Sequence, residues 1–249
     1  MTGASRRAAG VDLDGIVADV LEHAAQTQPR ECCGLAVVQR GRLHYVACRN
    51  LAARADEFEI APSDWAVAED GGEIVAVCHA HIYASPEPSM ADQAMCEQSA
   101  LPWLIVSWPG GTCKVIEPKG WRAPLVGRAF RHGVLDCYAL VRDYYRETLG
   151  IDLPDFSRED DWWLRGGDLY RENFEAAGFV QIGDGQCRDI RVHDGLLMQV
   201  ASPVPNHSGV IVEGGQLLQH CHGRLSSRDI FGGYWRKVTT HVLRHRSLL

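Results

Sequence analysis

The chain has 249 residues, of which 46% are hydrophobic and 23% are charged, and its formal net charge is −7. This balance is typical of a soluble globular protein, and the length favours two domains of ordinary size. The negative charge gives no electrostatic reason to expect binding to nucleic acid or to an anionic membrane surface. Residues 1–15 lack the apolar core of a signal peptide or spanning helix, so we expect residence in the cytoplasm after synthesis.

The first half of the chain mixes helix and strand patterns, which favours an α/β or α+β domain. An amphipathic helix is predicted over residues 11–28, and a short helix capped by Ser63 over residues 63–70. Strands are predicted at 34–39 and 43–48, which the QRGR segment joins as a hairpin, at 73–82, and twice within 101–118 around a Pro-Gly-Gly turn.

Two histidines lie at the end of the strand EIVAVCHAHI. Because side chains alternate along a strand, His79 and His81 project to the same face. Asp92 follows eleven residues after His81, in a predicted helix that begins at Ser89. A strand end followed by a helix start can bring this carboxylate to the two imidazoles. Two His and one carboxylate form a three-ligand set for Zn²⁺ that leaves the fourth position open, as in catalytic sites.

Glu31 is the candidate general base, since it precedes an apolar run expected to form another strand of the same sheet. The order of Glu31, His79, His81, Ser89 and Asp92 resembles the JAMM metalloprotease motif of MPN domains. Ile82 stands where that family usually has Pro. Ser89 and Asp92 also match a helix capping box, which is the purely structural interpretation of this pair.

The JAMM resemblance implies a role for each residue of the motif. His79, His81 and Asp92 would bind zinc, which lowers the pKa of a bound water to about 7. Glu31 would take the proton, and Ser89 would hydrogen-bond the developing oxyanion.

Pro, Gly and Arg interrupt the regular apolar spacing at residues 117–133, which indicates an interdomain connection. We therefore predict domains at 1–118 and 119–249. In the second, a helix is expected after Asp136 and before Gly150, helical structure from about 160 to Gly178, and a strand at 194–200. A hairpin is expected with strands at 207–212 and 216–222.

Cys137 is the candidate nucleophile among nine cysteines, most of which are expected to be reduced core residues. It would be the first residue of the helix that Asp136 caps. Oriented backbone N–H groups at a helix N-terminus favour a thiolate and lower its pKa.

His207 is the candidate base for this cysteine. The third member of the site depends on the register of the hairpin. A three-residue turn at 213–215 would place Gln219 on the face of His207, whereas a two-residue turn would place His220 there.

The second half resembles the NlpC-type cell-wall peptidases, which are papain-like cysteine enzymes with a DC motif at a helix start. Cys137, His207 and Gln219 occupy the positions of their catalytic residues. The usual third residue is His, so Gln219 is a departure. Its side-chain amide can still accept a hydrogen bond from the imidazole. The resemblance implies thiolate attack on a peptide, with the oxyanion bound at the helix N-terminus.

A JAMM domain followed by an NlpC-type domain resembles the tail assembly proteins of lambda-like siphophages. That family implies an α+β protein of the tail tip that contacts other tail proteins. It also implies a peptidoglycan endopeptidase acting near the D-glutamyl-diaminopimelate linkage, and passage from the host cytoplasm into the virion tail. The alternatives are a structural tail-tip protein with one or both sites inactive, and a cellular JAMM peptidase acting on a ubiquitin-like carrier.

Overall fold

The computed structural model describes residues 7–8 and 11–249, with residues 7 and 8 described by their backbone alone. The chain divides into two compact units, Met1–Arg122 and Ala123–Leu249. The sequence patterns place this division after residue 118. Within the described part of the chain, no helix combines the length and the apolar character needed to cross a membrane.

The first unit is built on a five-stranded mixed sheet. Its strands are β3 (Cys33–Gln39), β4 (Arg42–Cys48), β5 (Glu73–Ile82), β6 (Trp103–Trp108) and β7 (Cys113–Ile116). Their order in the sheet is β4-β3-β5-β6-β7. The β5 and β6 pair is parallel, and the other pairs are antiparallel. Separately, β1 (Arg7–Ala8) pairs with β2 (Val11–Asp12).

Three helices accompany this sheet: α1 (Val17–Thr27), α2 (Pro62–Gly71) and α3 (Met90–Ser99). Apolar residues of α1 pack with Cys78 and Ala80 on one face of β5. Val77 points to the opposite face, where it packs with residues of α2 and α3. Since side chains alternate along β5, His79 and His81 lie on the face of Val77.

Most predicted elements of the first unit are confirmed, and β5 has the predicted ends. The predicted helix at 11–28 begins later, because residues 11 and 12 belong to β2 and a 3₁₀ turn spans Asp14–Ile16. The expectation that Ser63 caps a helix is wrong. Pro62 starts α2 one residue earlier, with Ala61 as its N-cap, because the fixed φ of proline suits the first helical position.

The second unit is built on a six-stranded antiparallel sheet. Its strands are β8 (Phe179–Gly183), β9 (Gly195–Met198), β10 (His207–Val212), β11 (Gln216–Gln219), β12 (Ser227–Ile230) and β13 (Thr239–His245). Their order is β12-β11-β10-β9-β13-β8. The hairpin of β10 and β11 is confirmed, although β11 ends at Gln219, before the predicted residue 222.

Helices of the second unit are α4 (Cys137–Tyr144), α5 (Leu169–Asn173) and α6 (Gly233–Val238). Apolar residues of α4 pack against Val210 and Val212 of β10. The helix starts at the predicted residue and continues in a π-helical turn that ends at Gly150. One continuous helix from 160 to 178 is not found. Gly166, with φ +84°, separates a 3₁₀ turn at Trp162–Arg165 from α5.

Candidate functional site

The two histidines of β5 meet at their ring nitrogens. The Nε2 atoms of His79 and His81 are 3.1 Å apart. His79 is fully buried and packs against the rings of Phe58 and Trp103, at centroid distances of 4.6 and 5.6 Å. Nδ1 of His81 lies 2.7 Å from the carbonyl oxygen of Ser85, which orients this ring. Among the described residues, Nδ1 of His79 has no hydrogen-bond partner, so packing holds that side of the ring.

Asp92 reaches the histidines from the start of α3. A complete capping box holds it: the Ser89 backbone N–H donates to Oδ2 of Asp92 at 2.7 Å, and the Asp92 N–H donates to Oγ of Ser89 at 3.0 Å. Oδ1 of Asp92 is 3.4 Å from Nε2 of His79, and Oδ2 is 3.4 Å from Nε2 of His81. The capping box and the candidate ligand cluster therefore share one carboxylate.

These three side chains fit a zinc ion. Ligand atoms of His79, His81 and Asp92 all lie within 4.8 Å of one another. Atoms bound to tetrahedral zinc at about 2.0–2.1 Å are about 3.3 Å apart. The Nε2 atoms of His79 and His81, 3.1 Å apart, are close to that edge length, and each lies 3.4 Å from a different oxygen of Asp92. Two imidazoles and one carboxylate would leave one position of the tetrahedron open.

The protonation of His79 and Asp92 suits metal binding. Burial lowers the pKa of His79 to about 4, so its ring is neutral at pH 7. Burial opposes ionisation of Asp92, but hydrogen bonds and the nearby imidazoles outweigh it and lower the pKa of that carboxyl to about 2. Partial burial opposes a charge on His81, but its bonds to Asp92 and to the Ser85 carbonyl outweigh this and raise its pKa, so His81 would have to lose its proton to bind a metal. A neutral imidazole and a carboxylate are the forms that coordinate metals.

Glu31 lies beside this cluster. Cys33 of β3 pairs with His79 of β5, and the N–H of Ala80 donates to the carbonyl of Cys32, so the pairing extends toward Glu31. The negative charge of Glu31 contributes to the raised pKa of His81. A cavity of about 450 Å³ opens at Glu31 and is also lined by Cys48, Arg49 and Asn50.

In the second unit, Cys137 is the first residue of α4. Its neighbour Asp136 caps the helix by accepting a hydrogen bond from the N–H of Ala139 at 2.8 Å. The same carboxylate accepts from the N–H of Gly133 and from the guanidinium of Arg158, both at 2.9 Å. Cys137 is 7% exposed, so its thiol lies in a site from which water is largely excluded.

Cys137 at the start of α4 interacts with His207, the first residue of β10. Burial opposes a charge on either group, but the interaction of the two outweighs it. The pKa of the Cys137 thiol is lowered, and the pKa of His207 is raised to about 10. This interaction favours the thiolate and imidazolium forms of the pair, and the thiolate is the nucleophilic form of cysteine.

The structure brings Gln219 to His207 and places His220 elsewhere. The turn has three residues, so Val212 pairs with Gln216 and Gly209 with Gln219. Oε1 of Gln219 is 2.9 Å from Nε2 of His207. His220 instead packs against Phe130, at a centroid distance of 5.1 Å, and burial lowers its pKa to about 4.

Three further residues at this site were not found from the sequence. Oη of Tyr170 lies 3.1 Å from Sγ of Cys137. Sγ of Cys221 is 3.8 Å from Nε2 of His207, and Asp229 accepts a hydrogen bond from Gln219. Neither Tyr170 nor Asp229 was given a role from the sequence, and the fold brings both to the site.

Family models cover both units. Residues 14–123 match the prokaryotic homologs of the JAB domain, and residues 127–244 match the NlpC/P60 family. The chain is 40% identical over 233 residues to the tail tip assembly protein K of Escherichia phage N15, covering 92% of this chain and 93% of that protein. The chain belongs to this family. The homologous protein of Escherichia phage lambda is 41% identical over 189 residues, which cover 76% of this chain and 90% of that protein.

Membership of the tail tip assembly protein K family confirms the predicted resemblance, with its JAB/MPN-like domain followed by an NlpC/P60 domain, and the α+β class. Two solved structures are also similar. One is a protein from Desulfitobacterium hafniense, 26% identical, covering 43% of this chain and 82% of that chain, with a TM-score of 0.36. The other is a JAB1/MPN domain protein from Archaeoglobus fulgidus, 20% identical, covering 44% and 91%, with a TM-score of 0.30.

Proposed function

We propose that this phage tail tip assembly protein is also a peptidoglycan endopeptidase whose second unit cuts the cell-wall peptide near the D-glutamyl-diaminopimelate linkage. Its partners are other tail-tip proteins, and it passes from the host cytoplasm into the virion tail. One arrangement carries the enzymatic proposal: Cys137, at the start of α4, interacts with His207, whose Nε2 lies 2.9 Å from Oε1 of Gln219.

The reaction begins with attack of the Cys137 thiolate on the amide carbonyl carbon. Backbone N–H groups at the start of α4, including that of Cys137, stabilise the oxyanion. His207 gives its proton to the leaving amine as the C–N bond breaks, which leaves a thioester on Cys137. His207 then takes a proton from water, which attacks the thioester and releases the acid and the free cysteine.

Gln219 supports this sequence by accepting the Nε2–H hydrogen bond of His207. The other ring nitrogen, Nδ1, then remains for the proton exchanged with Cys137. An amide oxygen can fill this role, as the Asn of papain-like enzymes does. The departure from His at position 219 is therefore compatible with activity.

The test is peptide release from peptidoglycan fragments by the purified full chain, followed by mass spectrometry of the products. We expect release by the wild type and none above background by Cys137→Ala. The matched control is Cys187→Ala, which changes a partly buried cysteine of the same unit and should keep wild-type activity. Equal release by the wild type and Cys137→Ala would overturn the cysteine mechanism.

For the first unit we propose a zinc peptidase site in which His79, His81 and Asp92 hold the ion. Bound zinc would act as a Lewis acid and lower the pKa of a coordinated water. Glu31 accepts a proton from the attacking water. Oγ of Ser89 accepts the N–H of Asp92, so its own O–H can be donated to the carbonyl oxygen of a substrate as that oxygen gains charge.

An assembly role with inactive sites is the second candidate, and the low exposure of Cys137, 7%, favours it. The two phage relatives support a tail protein over a cellular peptidase acting on a ubiquitin-like carrier. Tail assembly by a Cys137→Ala phage separates the two roles. Normal assembly combined with lost peptide release would support the enzyme, and normal wild-type assembly without any peptide release would support the structural role.

A further inference from the structure

The hydrogen-bond chain of the cysteine site continues beyond Gln219. Nε2 of Gln219 donates to Oδ2 of Asp229 at 2.6 Å. Gln219 is 1% exposed, and the side chain of Asp229 is 25% exposed. Three side chains thus stand in line behind the thiol: His207, Gln219 and Asp229.

This line removes an ambiguity that an amide brings to such a site. A glutamine side chain can present either its oxygen or its NH₂ group to an imidazole. If NH₂ faced Nε2 of His207, that nitrogen would have to accept, and a neutral ring would then carry its proton on Nδ1, toward Cys137. Such a ring has no lone pair with which to take the thiol proton.

Asp229 decides which end of the amide faces the ring. A carboxylate can only accept hydrogen bonds, so it attracts the NH₂ group of Gln219. Oε1 must then point to His207, whose Nε2 carries the hydrogen, and Nδ1 is left for Cys137. Asp229 also carries a negative charge close behind Gln219, and such a charge favours the protonated form of His207.

We propose that Asp229 is a positioning residue of the cysteine site, which acts through Gln219 to fix the orientation of its amide and hence the protonated nitrogen of His207. This inference rests on the proposed function of Cys137 and His207 and adds a member from β12 that lies outside the motif. A site whose third residue is Gln needs a group that fixes the orientation of the amide, and Asp229 is that group.

The surroundings of Asp229 supply a control. Oγ of Ser227 lies 3.3 Å from Oδ2 of Asp229, and the guanidinium of Arg224 lies 4.0 Å from Oδ1. Ser227 thus contacts the same carboxylate without being hydrogen-bonded to the Gln219 side chain. A variant at Ser227 reports on local packing around β12, whereas a variant at Asp229 reports on the amide orientation as well.

The experiment measures the rate of Cys137 alkylation by iodoacetamide at pH 7, followed on the Cys137 peptide by mass spectrometry in the full chain. We expect Asp229→Ala to lower this rate about 10-fold, since one unit of thiol pKa changes the thiolate fraction tenfold. Ser227→Ala should stay within about twofold of the wild type. The double variant Gln219→Glu/Asp229→Ala should recover to within about threefold, because a carboxylate at 219 accepts from His207 in either orientation.

An unchanged rate in Asp229→Ala, or a double variant as slow as Asp229→Ala, would overturn the inference. A merely structural role of Asp229 would not be rescued by a change at position 219. If Asp229→Ala does not fold, the ¹⁵N shifts of the His207 ring in Cys137→Ala decide the matter. A neutral ring protonated at Nε2 supports the inference, and protonation at Nδ1 contradicts it.

The two assays test the two proposals separately: peptide release tests the peptidase, and alkylation tests the role of Asp229. Wild-type protein that releases no peptide but shows the alkylation pattern above would refute the peptidase while leaving the role of Asp229 intact. Peptide release that does not depend on Asp229 would support the peptidase and refute the role of Asp229.

Discussion

The guanidinium of Arg158 and the carboxylate of Asp136 form an ion pair at 2.9 Å in which each side chain is only 3% exposed. Asp136 is also the N-cap of α4. The pair therefore joins the segment around Arg158 to the helix end that carries Cys137. Three donors converge on this one carboxylate, from Gly133, Ala139 and Arg158, so removing Arg158 would leave a buried negative charge only partly compensated.

Replacing Arg158 with Met should destabilise the protein by about 3–5 kcal/mol, the cost of removing one partner of a buried ion pair. Urea unfolding of the full chain measures the change. Arg165→Met is the matched control, since the ion pair of Arg165 with Glu159 is 63% and 76% exposed and should contribute nothing measurable. Equal destabilisation by the two variants would contradict the role given to Arg158.

The same ion pair predicts a loss of stability in acid. Burial opposes ionisation of Asp136, but Arg158 and the capping hydrogen bonds outweigh it and lower the pKa of the carboxyl. A lowered pKa stabilises the folded state at pH values above the pKa of the same carboxyl in the unfolded chain, about 3.9. This stabilisation is lost as the pH falls through the lower pKa of the folded state. Unfolding free energies measured between pH 6 and pH 2 should fall less steeply in Arg158→Met than in the wild type.

Removing the imidazole of His207 should reduce the thiolate fraction of Cys137. In His207→Ala, burial still raises the pKa of Cys137 but the lowering interaction is lost. Alkylation of Cys137 at pH 7 should therefore fall at least about 10-fold, and the midpoint of its pH dependence should move upward. His220→Ala removes the alternative third residue and should leave the rate within about twofold. A large effect of His220→Ala alone would reverse the assignment.

Gly209 should not tolerate a side chain. A Cβ at this position would lie 2.6 Å from Cδ1 of Leu217 and 2.9 Å from the backbone oxygen of Leu218. We expect Gly209→Ala to cost about 1–3 kcal/mol by overpacking and to reduce peptide release, because β10 and β11 must separate where His207 meets Gln219. Gly232→Ala, whose nearest neighbour is 3.7 Å away, is the control in thermal unfolding and activity assays.

Metal analysis of protein purified without chelators should give one zinc per chain. His79→Ala should lose it, since two ligands seldom retain zinc. His44→Ala, which removes an exposed histidine of β4, should keep it. Zinc at 100 times its Kd should stabilise the folded chain by about 2.7 kcal/mol. Equal zinc content in the wild type and in His79→Ala would show that the ion binds elsewhere.

Local patterns predicted those parts of the sites that one segment determines. The strand carrying His79 and His81 and the helix start at Cys137 were both readable, because alternation, caps and periodicity act over a few residues. The turn pattern left both Gln219 and His220 open as partners of His207, because the choice depends on the register of β11, and the family resemblance selected Gln219. Gly214 and Gly215 both have positive φ in the three-residue turn, and a Gly-Gly pair is compatible with either turn length.

Tyr170 and Asp229 were beyond sequence reasoning for a different reason. Each reaches the site from a segment distant from Cys137 along the chain, and no local pattern indicates that it contacts the site. The prediction of one long helix was wrong because the helical structure breaks at Gly166. This break determines where α5 begins, and α5 carries Tyr170. Contacts between distant segments depend on the whole fold.

The capping box of Ser89 and Asp92 has a consequence for how the first site opens and closes. The carboxylate that accepts the N–H of Ser89, the N-cap of α3, is the one that faces the two imidazoles. Fraying of that helix end would release the acidic ligand at the same moment, so ion exchange should follow the local opening rate of α3. Amide hydrogen exchange at Ser89 would then slow when the ion is bound, which makes this single N–H a reporter of occupancy.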